Sequence, residues 1–275
     1  MSTHTPTEDH QVVSADGTRI AFRRIGSGPP LVIVHGGLGN ARRWQLVADR
    51  LADRHELFVV DRRGRGGSDR GEPHSLAAEA ADVRAVLAAA GPGAALLGHS
   101  YGGAAAIEAA LAAAPGEIGR LVLYEPGDTG SIARERAERL VALSAEADPD
   151  ALLAAGLGEM ADAGLITREE LDGTLALKGQ PLWEELAEVG WTLPREIASV
   201  VEREPWTRER LARIAMPTLV IVGEQSLEPH RRACELLVEL LPDARLARLA
   251  GQGHIAHRLD PDQLARVVGD FLAQG

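Results

Sequence analysis

The sequence predicts an α/β fold, with a mostly parallel sheet, helices on both faces and a helical cap insertion. Short continuous apolar runs, typical of strands buried on both faces, occur at residues 31–34, 57–60, 94–97 and 121–124. Helical patterns of roughly ten to fifteen residues separate these runs, as in parallel sheets with crossover helices. The alternation stops near residue 127 and resumes at residues 218–222, so the intervening segment has no strand pattern.

The remaining elements follow in chain order. Residues 11–14 and 18–25 are predicted to form a hairpin, because Ala15-Asp16-Gly17 between them is a turn signal. Helices are predicted at residues 41–54 and 76–90, and a third helix ends near residue 114. After the interruption, a helix at 231–241, a strand at 245–249 and a helix at 261–272 complete the pattern.

A length of 275 residues fits one large domain with an insertion. We assign residues 1–10 to a flexible N-terminus, 11–126 and 215–275 to the α/β core, and 127–214 to the helical cap. An insertion at the C-terminal ends of parallel strands is well placed to roof a binding crevice.

Composition restricts the partners that we expect. A net charge of −11 argues against nucleic acid, which is bound by basic surfaces. The N-terminus is polar, and no run reaches the roughly 18 apolar residues of a membrane span, so we expect neither a signal peptide nor a membrane partner. A single cysteine, Cys234, suits a reducing cytoplasm and a buried structural thiol. The expected partner is a small-molecule substrate.

The most informative motif is Gly98-His99-Ser100-Tyr101-Gly102, which follows an apolar run and precedes an alanine-rich helical run. In this context Gly-x-Ser-x-Gly is typical of a nucleophile elbow, a tight turn that lifts the serine hydroxyl above the sheet. The small residues keep neighbouring backbone from clashing, and the helix N-terminus favours developing negative charge. The pattern also occurs by chance in loops, but its context predicts that Ser100 is a nucleophile.

A serine nucleophile needs a base, and His254 is the best placed histidine. It ends Gly251-Gln252-Gly253-His254, directly after the last predicted strand, where Ser100 should emerge. The order of serine before histidine also fits the template of such elbows. His257 is the alternative base, or else a supporting residue. His35 and His99 lie at the ends of buried strands, and we expect them to brace loops or line the site.

Acyl transfer also requires two donors directed at the transition-state oxyanion. We predict the backbone N–H groups of Tyr101 and Gly37, because the glycines of His35-Gly36-Gly37-Leu38-Gly39 let the backbone turn inward. A glycine-rich loop can instead hold phosphate, but this loop lacks the P-loop lysine and the dinucleotide-binding spacing. We expect no cofactor, and no metal, since no cluster of ligand residues has metal-binding spacing.

Residues 61–69 follow the next strand and contain three arginines, which could form an anion site. We interpret them instead as a turn whose polar side chains hold the loop ends together. With this turn, the serine, histidine and glycine motifs resemble those of the α/β-hydrolase superfamily. The resemblance implies an eight-stranded sheet with a cap after the sixth strand. The serine indicates a serine-nucleophile branch, because haloalkane dehalogenases and epoxide hydrolases carry aspartate there.

The third member of a catalytic triad is a carboxylate that orients the histidine. Most relatives carry it where this chain has Ser226, and some branches carry it at the end of strand six, where this chain has Glu125. A glutamate in Tyr-Glu-Pro at a strand tip is hard to explain as a solvated charge, so we favour Glu125. Glu224 and Glu228 stay open as alternative acids, and an ion pair with a cap arginine is the structural alternative for Glu125.

These residues predict a serine hydrolase that cleaves an ester or related acyl bond of a small, partly apolar molecule through an acyl-enzyme. The apolar character is inferred from three cap tryptophans, Trp183, Trp191 and Trp206, although such residues usually pack a cap onto its sheet. Carbon–carbon bond hydrolysis and acyl transfer use the same groups and stay open. A non-catalytic ligand-binding protein of this fold is the alternative from another class, because Ser226 is not an acid.

Overall fold

An eight-stranded sheet forms the centre of the molecule in the computed structural model, which describes residues 7–127, 132–145 and 147–274. The strands are β1 Thr7–Val13, β2 Arg19–Gly26, β3 Pro30–Val34, β4 Glu56–Val60, β5 Ala94–His99, β6 Ile118–Tyr124, β7 Thr218–Gly223 and β8 Ala244–Leu249. Their order across the sheet is β1-β2-β4-β3-β5-β6-β7-β8. All neighbours from β4 to β8 pair in parallel, whereas β1 and β2 are antiparallel. The predicted α/β fold is confirmed.

Helices cover both faces of this sheet. They are α1 Gln45–Leu51, α2 Leu76–Ala90, α3 Tyr101–Ala112, α4 Arg134–Leu143, α5 Pro149–Asp162, α6 Arg168–Leu175, α7 Pro181–Gly190, α8 Leu193–Glu202, α9 Arg208–Leu211, α10 Glu228–Leu240, α11 Ala256–Leu259 and α12 Pro261–Leu272. One apolar cluster joins the sheet to α2, α3 and α10, and the other joins it to α1 and α12. The buried thiol of Cys234 lies in the first cluster.

The N-terminal hairpin begins earlier than predicted. Strand β1 starts at Thr7 and pairs in register with β2, so residues 7–10 are ordered sheet and not part of a flexible terminus. Strand β1 lies at the sheet edge, where alternate residues face solvent. The side chains of residues 7–10 are therefore polar, and the sequence shows no apolar pattern that predicts a strand there. Residues 1–6 of the predicted flexible terminus lie outside the described residues.

The described residues between β6 and β7 form helices joined by loops and contain no strand. Helices α4 to α8 pack around two apolar clusters of their own, and Leu38 from the core contacts both clusters. The predicted cap boundary at residue 214 differs from the packing. Trp206, Leu211 and Ile214 belong to the apolar cluster that joins the sheet to α2, α3 and α10. The residues that pack with the cap therefore end before α9. No helix in the described ranges is long and apolar enough to cross a membrane.

Candidate active site

Ser100 lies between β5 and α3 with a strained backbone conformation, φ 52° and ψ −125°. The elbow is packed so tightly that side chains at its glycines would collide. A Cβ at Gly98 would lie 2.5 Å from the Gly102 carbonyl oxygen, and one at Gly102 would lie 2.5 Å from the Val34 carbonyl oxygen. The motif's glycines therefore allow the turn to pack against β3. Ser100 is the N-cap residue of α3, where unpaired N–H groups favour negative charge.

Glu125 lies at the C-terminal end of β6, beside the elbow, and its side chain is fully buried. One carboxylate oxygen accepts hydrogen bonds from the Gly223 N–H at 2.7 Å and from the Ser226 hydroxyl. The other oxygen accepts from His254 Nδ1 at 2.7 Å. Burial alone would raise the pKa of Glu125, but the His254 contact and the two other donors hold that pKa below its ordinary value.

The loop that carries His254 is fixed from two strand ends. His99 Nε2 donates to the His254 carbonyl oxygen at 2.9 Å, and the Tyr124 hydroxyl donates to the Gly253 carbonyl oxygen. An ionised carboxylate only accepts hydrogen bonds, so the bond to Glu125 places the proton of neutral His254 on Nδ1. Nε2 of His254 then carries the lone pair with which an imidazole accepts a proton.

Two neighbouring histidine rings flank His254. The His230 ring is stacked on it with centroids 4.3 Å apart and planes inclined by 19°, and the His99 centroid is 4.7 Å away. Burial and the neighbouring His254 lower the pKa of His230 to about 4. His230 Nε2 donates to the Leu165 carbonyl oxygen at 3.0 Å, which connects α10 to the cap.

Glu125, His230 and His254 form the candidate metal-ligand group of the described residues. Each imidazole lone pair lies in its own ring plane. Two nearly parallel rings separated by 4.3 Å therefore cannot both direct a nitrogen at one ion. In addition, His254 Nδ1 and His230 Nε2 already make hydrogen bonds. The arrangement is better suited to a hydrogen-bonded histidine stack than to a metal centre.

The glycine loop after β3 borders the elbow. A Cβ at Gly36 would lie 2.9 Å from the Ser100 Cβ, so this backbone passes directly beside the serine. Neither the Gly37 N–H nor the Tyr101 N–H donates a hydrogen bond to any other residue that the structure describes.

Comparison with known proteins identifies the family of this chain. The model of the Alpha/beta hydrolase family matches residues 31–267, which is most of the chain. The chain belongs to the alpha/beta hydrolase family. The relatives of this family that resemble the chain include esterases and other hydrolases. The protein is therefore a hydrolase.

Several relatives align with this alpha/beta hydrolase over nearly their whole length. N-formylmaleamate deformylase of Pseudomonas putida is 31% identical, and the alignment covers 94% of this chain and 95% of that protein. The crystal structure of an alpha/beta hydrolase from Sphaerobacter thermophilus has a TM-score of 0.82 at 32% identity, covering 96% of this chain and 100% of that one. Esterase RhEst1 from a Rhodococcus species has a TM-score of 0.73 at 30% identity, covering 97% and 98%.

The structure distinguishes the three glutamates that the sequence leaves as candidate third members of the triad. Glu125 contacts His254, whereas Glu224 is exposed and accepts a hydrogen bond from the Gly251 N–H at 3.1 Å. Glu228 is exposed at the first position of α10. His257, the alternative base, is buried and stacked on Trp44 with ring centroids 5.0 Å apart.

The three arginines of the turn do not form an open anion site. Arg62, Arg63 and Arg65 are buried and make ion pairs with acids, while Asp61 accepts hydrogen bonds from the N–H groups of Ala41 and Gly67. This is consistent with the predicted loop-closing role. Two residues that sequence reasoning did not assign to the candidate site contact it: Ser226, which donates a hydrogen bond to Glu125, and His230, which stacks on His254. The sequence offered one signal for Ser226, namely a polar residue at the position where most relatives carry the acid. It offered no such signal for His230.

Proposed function

We propose that this alpha/beta hydrolase cleaves esters or related acyl bonds of small molecules through Ser100, His254 and Glu125. The observation that carries the proposal is the 2.7 Å hydrogen bond from His254 Nδ1 to the buried Glu125 carboxylate. That bond leaves His254 Nε2 to act as a base at the C-terminal ends of the strands, where Ser100 also lies. A hydroxyl at a strained strand-to-helix turn with no adjoining base would lack this chemistry.

The proposed reaction begins when His254 Nε2 takes the Ser100 hydroxyl proton as Oγ attacks the substrate carbonyl carbon. The N–H groups of Gly37 and Tyr101 donate to the resulting oxyanion. Protonated His254, stabilised by Glu125, gives the proton to the leaving alcohol or amine, and the carbon–leaving group bond breaks. Water, deprotonated by His254, then attacks the acyl-enzyme and releases the acid together with free Ser100.

The relatives guide the choice of substrate class. Esterase RhEst1 supports a carboxylic ester, and N-formylmaleamate deformylase supports an N-formyl amide as the second substrate to test. Leu38, next to the proposed donor Gly37, packs against two apolar clusters of the cap, so it joins the cap to the core and carries no information about the acyl group. Trp183 and Trp206 are buried within their own clusters, so they carry no such information either.

The test is labelling with a fluorophosphonate probe, followed by mass spectrometry and a p-nitrophenyl ester assay. We expect the wild type to be labelled at Ser100, and Ser100→Ala and His254→Ala to lose labelling and turnover. Glu125→Gln is expected to reduce kcat by roughly 10³- to 10⁴-fold, because the base loses its orienting anion. Glu224→Gln and Glu228→Gln are matched controls and should retain turnover. Absence of wild-type labelling, or full activity of Glu125→Gln, would overturn the proposal.

A further inference from the structure

The fully buried side chain of Arg62 contacts both sides of the proposed oxyanion hole. Its Nη1 donates to the Gly36 carbonyl oxygen at 3.1 Å, and its guanidinium carbon lies 4.3 Å from the centroid of the Tyr101 ring. His35 also fixes the Gly36 carbonyl oxygen, since its Nδ1 lies 2.8 Å away and its Nε2 accepts from the Arg62 N–H at 3.3 Å. Two donors therefore fix one peptide group.

Fixing that carbonyl also fixes the next N–H. In a trans peptide the C=O and the following N–H point in opposite directions. The Gly36 carbonyl faces Arg62 and His35, so the Gly37 N–H faces the other side of the loop and is held there. A glycine pair without this restraint would rotate freely, because glycine has few conformational restrictions.

The cap supplies the counterion of this arrangement. One oxygen of Glu196, in α8, accepts hydrogen bonds from Nη2 of Arg62 and of Arg65. The other oxygen has no hydrogen-bond partner among the described residues, and it lies against residues 35–39, the oxyanion loop, 3.0 Å from where a Cβ of Gly37 would be. Glu196 is only 3% exposed, so its carboxylate is part of the closed interface between cap and core.

The same helix also contacts the second donor residue. Ser199, three positions after Glu196, makes a 2.9 Å hydrogen bond with the Tyr101 hydroxyl. One face of α8 thus contacts the backbone beside Gly37 and the side chain of Tyr101. The two arginines and the two glutamates, Glu79 and Glu196, also balance in charge, since Arg62 pairs with both acids and Arg65 pairs with Glu196.

The ionised state of Glu196 fits this role. Burial alone would raise its pKa, but the guanidinium groups of Arg62 and Arg65 outweigh that effect and hold the pKa below its ordinary value. Without this carboxylate, the buried network would keep two guanidinium groups and one acid. An unbalanced buried charge is strongly unfavourable, so the arginines would move and the Gly36 carbonyl would keep only one of its two restraints, the contact with His35.

We propose that Glu196 and Ser199 of α8 are positioning residues that assemble the oxyanion hole when the cap is docked on the core. This inference rests on the proposed function, because it assigns a role to the cap in the same reaction. The cap would then do more than enclose the substrate: its docked position would set the direction of the Gly37 N–H and the location of Tyr101.

The decisive variant is Glu196→Gln, which keeps the shape and an acceptor oxygen but removes the charge. The probe is an alkyl trifluoromethyl ketone, whose tetrahedral adduct with a serine places an oxyanion in the hole. We expect kcat for the ester to fall roughly 10- to 100-fold, with KM little changed and affinity for the ketone reduced in parallel, since loss of one oxyanion donor costs about 10²- to 10³-fold. A purely structural role would not link kcat with ketone affinity.

Arg195→Gln is the matched control. Arg195 lies in the same helix and pairs with Glu72 of the core at 2.6 Å, so it is a cap contact that does not reach the oxyanion loop. We expect its kcat and ketone affinity to stay within about twofold of the wild type, as for a partly exposed ion pair. If Glu196→Gln does not fold, Ser199→Ala, which removes a single hydroxyl, decides the question through a smaller parallel loss.

The outcomes separate the two proposals. If the wild type is labelled at Ser100 and the folded Glu196→Gln and Ser199→Ala variants match Arg195→Gln in kcat and ketone affinity, the positioning role is overturned and the proposed hydrolase mechanism stands. If the wild type is not labelled at Ser100, the proposed function fails first.

Discussion

At the scale of single residues, the backbone of Ser100 shows how the site stores strain. A φ of 52° is a conformation that glycine adopts easily and other residues adopt at a cost of about 1–3 kcal/mol. Glu125, with a φ of 40°, is in the same situation. These two proposed catalytic residues, which directly follow β5 and β6, thus lie in turns that the surrounding packing imposes.

This strain gives the first prediction. Ser100→Gly is expected to have a free energy of unfolding about 1 kcal/mol higher than Ser100→Ala, because glycine adopts the required φ without a Cβ clash. Both variants lack the hydroxyl, so catalysis does not enter the comparison. Urea unfolding followed by circular dichroism measures the difference. If alanine proved equally or more stable, the elbow would not be strained in solution.

The residue scale also marks the limit of sequence reasoning about the site. Ser100, His254 and Glu125 could be proposed from local signals, namely an elbow motif, a glycine-flanked histidine and a buried strand tip. Ser226 and His230 could not be assigned, because their roles depend on side-chain contacts with Glu125 and His254, far away in the chain. No local pattern encodes a stacking contact or a hydrogen bond between separate loops.

At the scale of secondary-structure elements, the cap helices α5 and α8 are packed through a glycine. A Cβ at Gly156 would collide with the Leu193 side chain, whereas a Cβ at Gly158 would have no atom of the described residues within 4 Å. The two glycines lie in the same helix, so they form an internal comparison of packing and propensity.

The second prediction follows from that pair. Gly158→Ala is expected to stabilise the protein by about 0.5–1 kcal/mol, because alanine favours the helix more than glycine does. Gly156→Ala is expected to destabilise it by about 1–3 kcal/mol through overpacking against Leu193. Thermal unfolding of both variants provides the measurement. The same sign of effect for both would contradict the described packing of α5 on α8.

The predicted helices show where the sequence is sufficient to predict an element and where it is not. The helix predicted at residues 76–90 is confirmed as α2, because Ser75 caps its start and its apolar spacing is regular. The helix predicted at residues 41–54 is instead a 3₁₀ turn, Ala41–Trp44, followed by a shorter α1. Asn40 caps that turn, and tertiary packing of Trp44 against the core determines its geometry.

At the scale of the whole molecule, buried histidines make stability depend on pH. Burial is the main cause that lowers the pKa of His230 to about 4 and of His257 to about 3, from an ordinary value of 6.5. The unfolded chain therefore takes up protons near pH 6.5, while the folded chain does so only at lower pH. The free energy of unfolding must decrease as pH falls below about 6.5.

The third prediction tests this linkage with His257→Phe, which preserves an aromatic ring against Trp44 and removes the titration. Between pH 6.5 and pH 5 the variant should lose about 1.5 kcal/mol less free energy of unfolding than the wild type. Urea titrations at the two pH values give the comparison. Equal losses in both proteins would mean that His257 is not held neutral in the folded state.

The placement of Glu125 on β6 has a consequence for how this molecule can vary. Ser100 and Glu125 both precede the cap, directly after the neighbouring strands β5 and β6 that α3 links, whereas His254 follows the cap. The cap can therefore be lengthened, shortened or exchanged as a module without altering the spacing between Ser100 and Glu125. A chimera with a foreign cap would inherit Ser100 and Glu125 at their present spacing. It would need to return His254 to its place and to replace the contacts that Glu196 and Ser199 make with Gly37 and Tyr101.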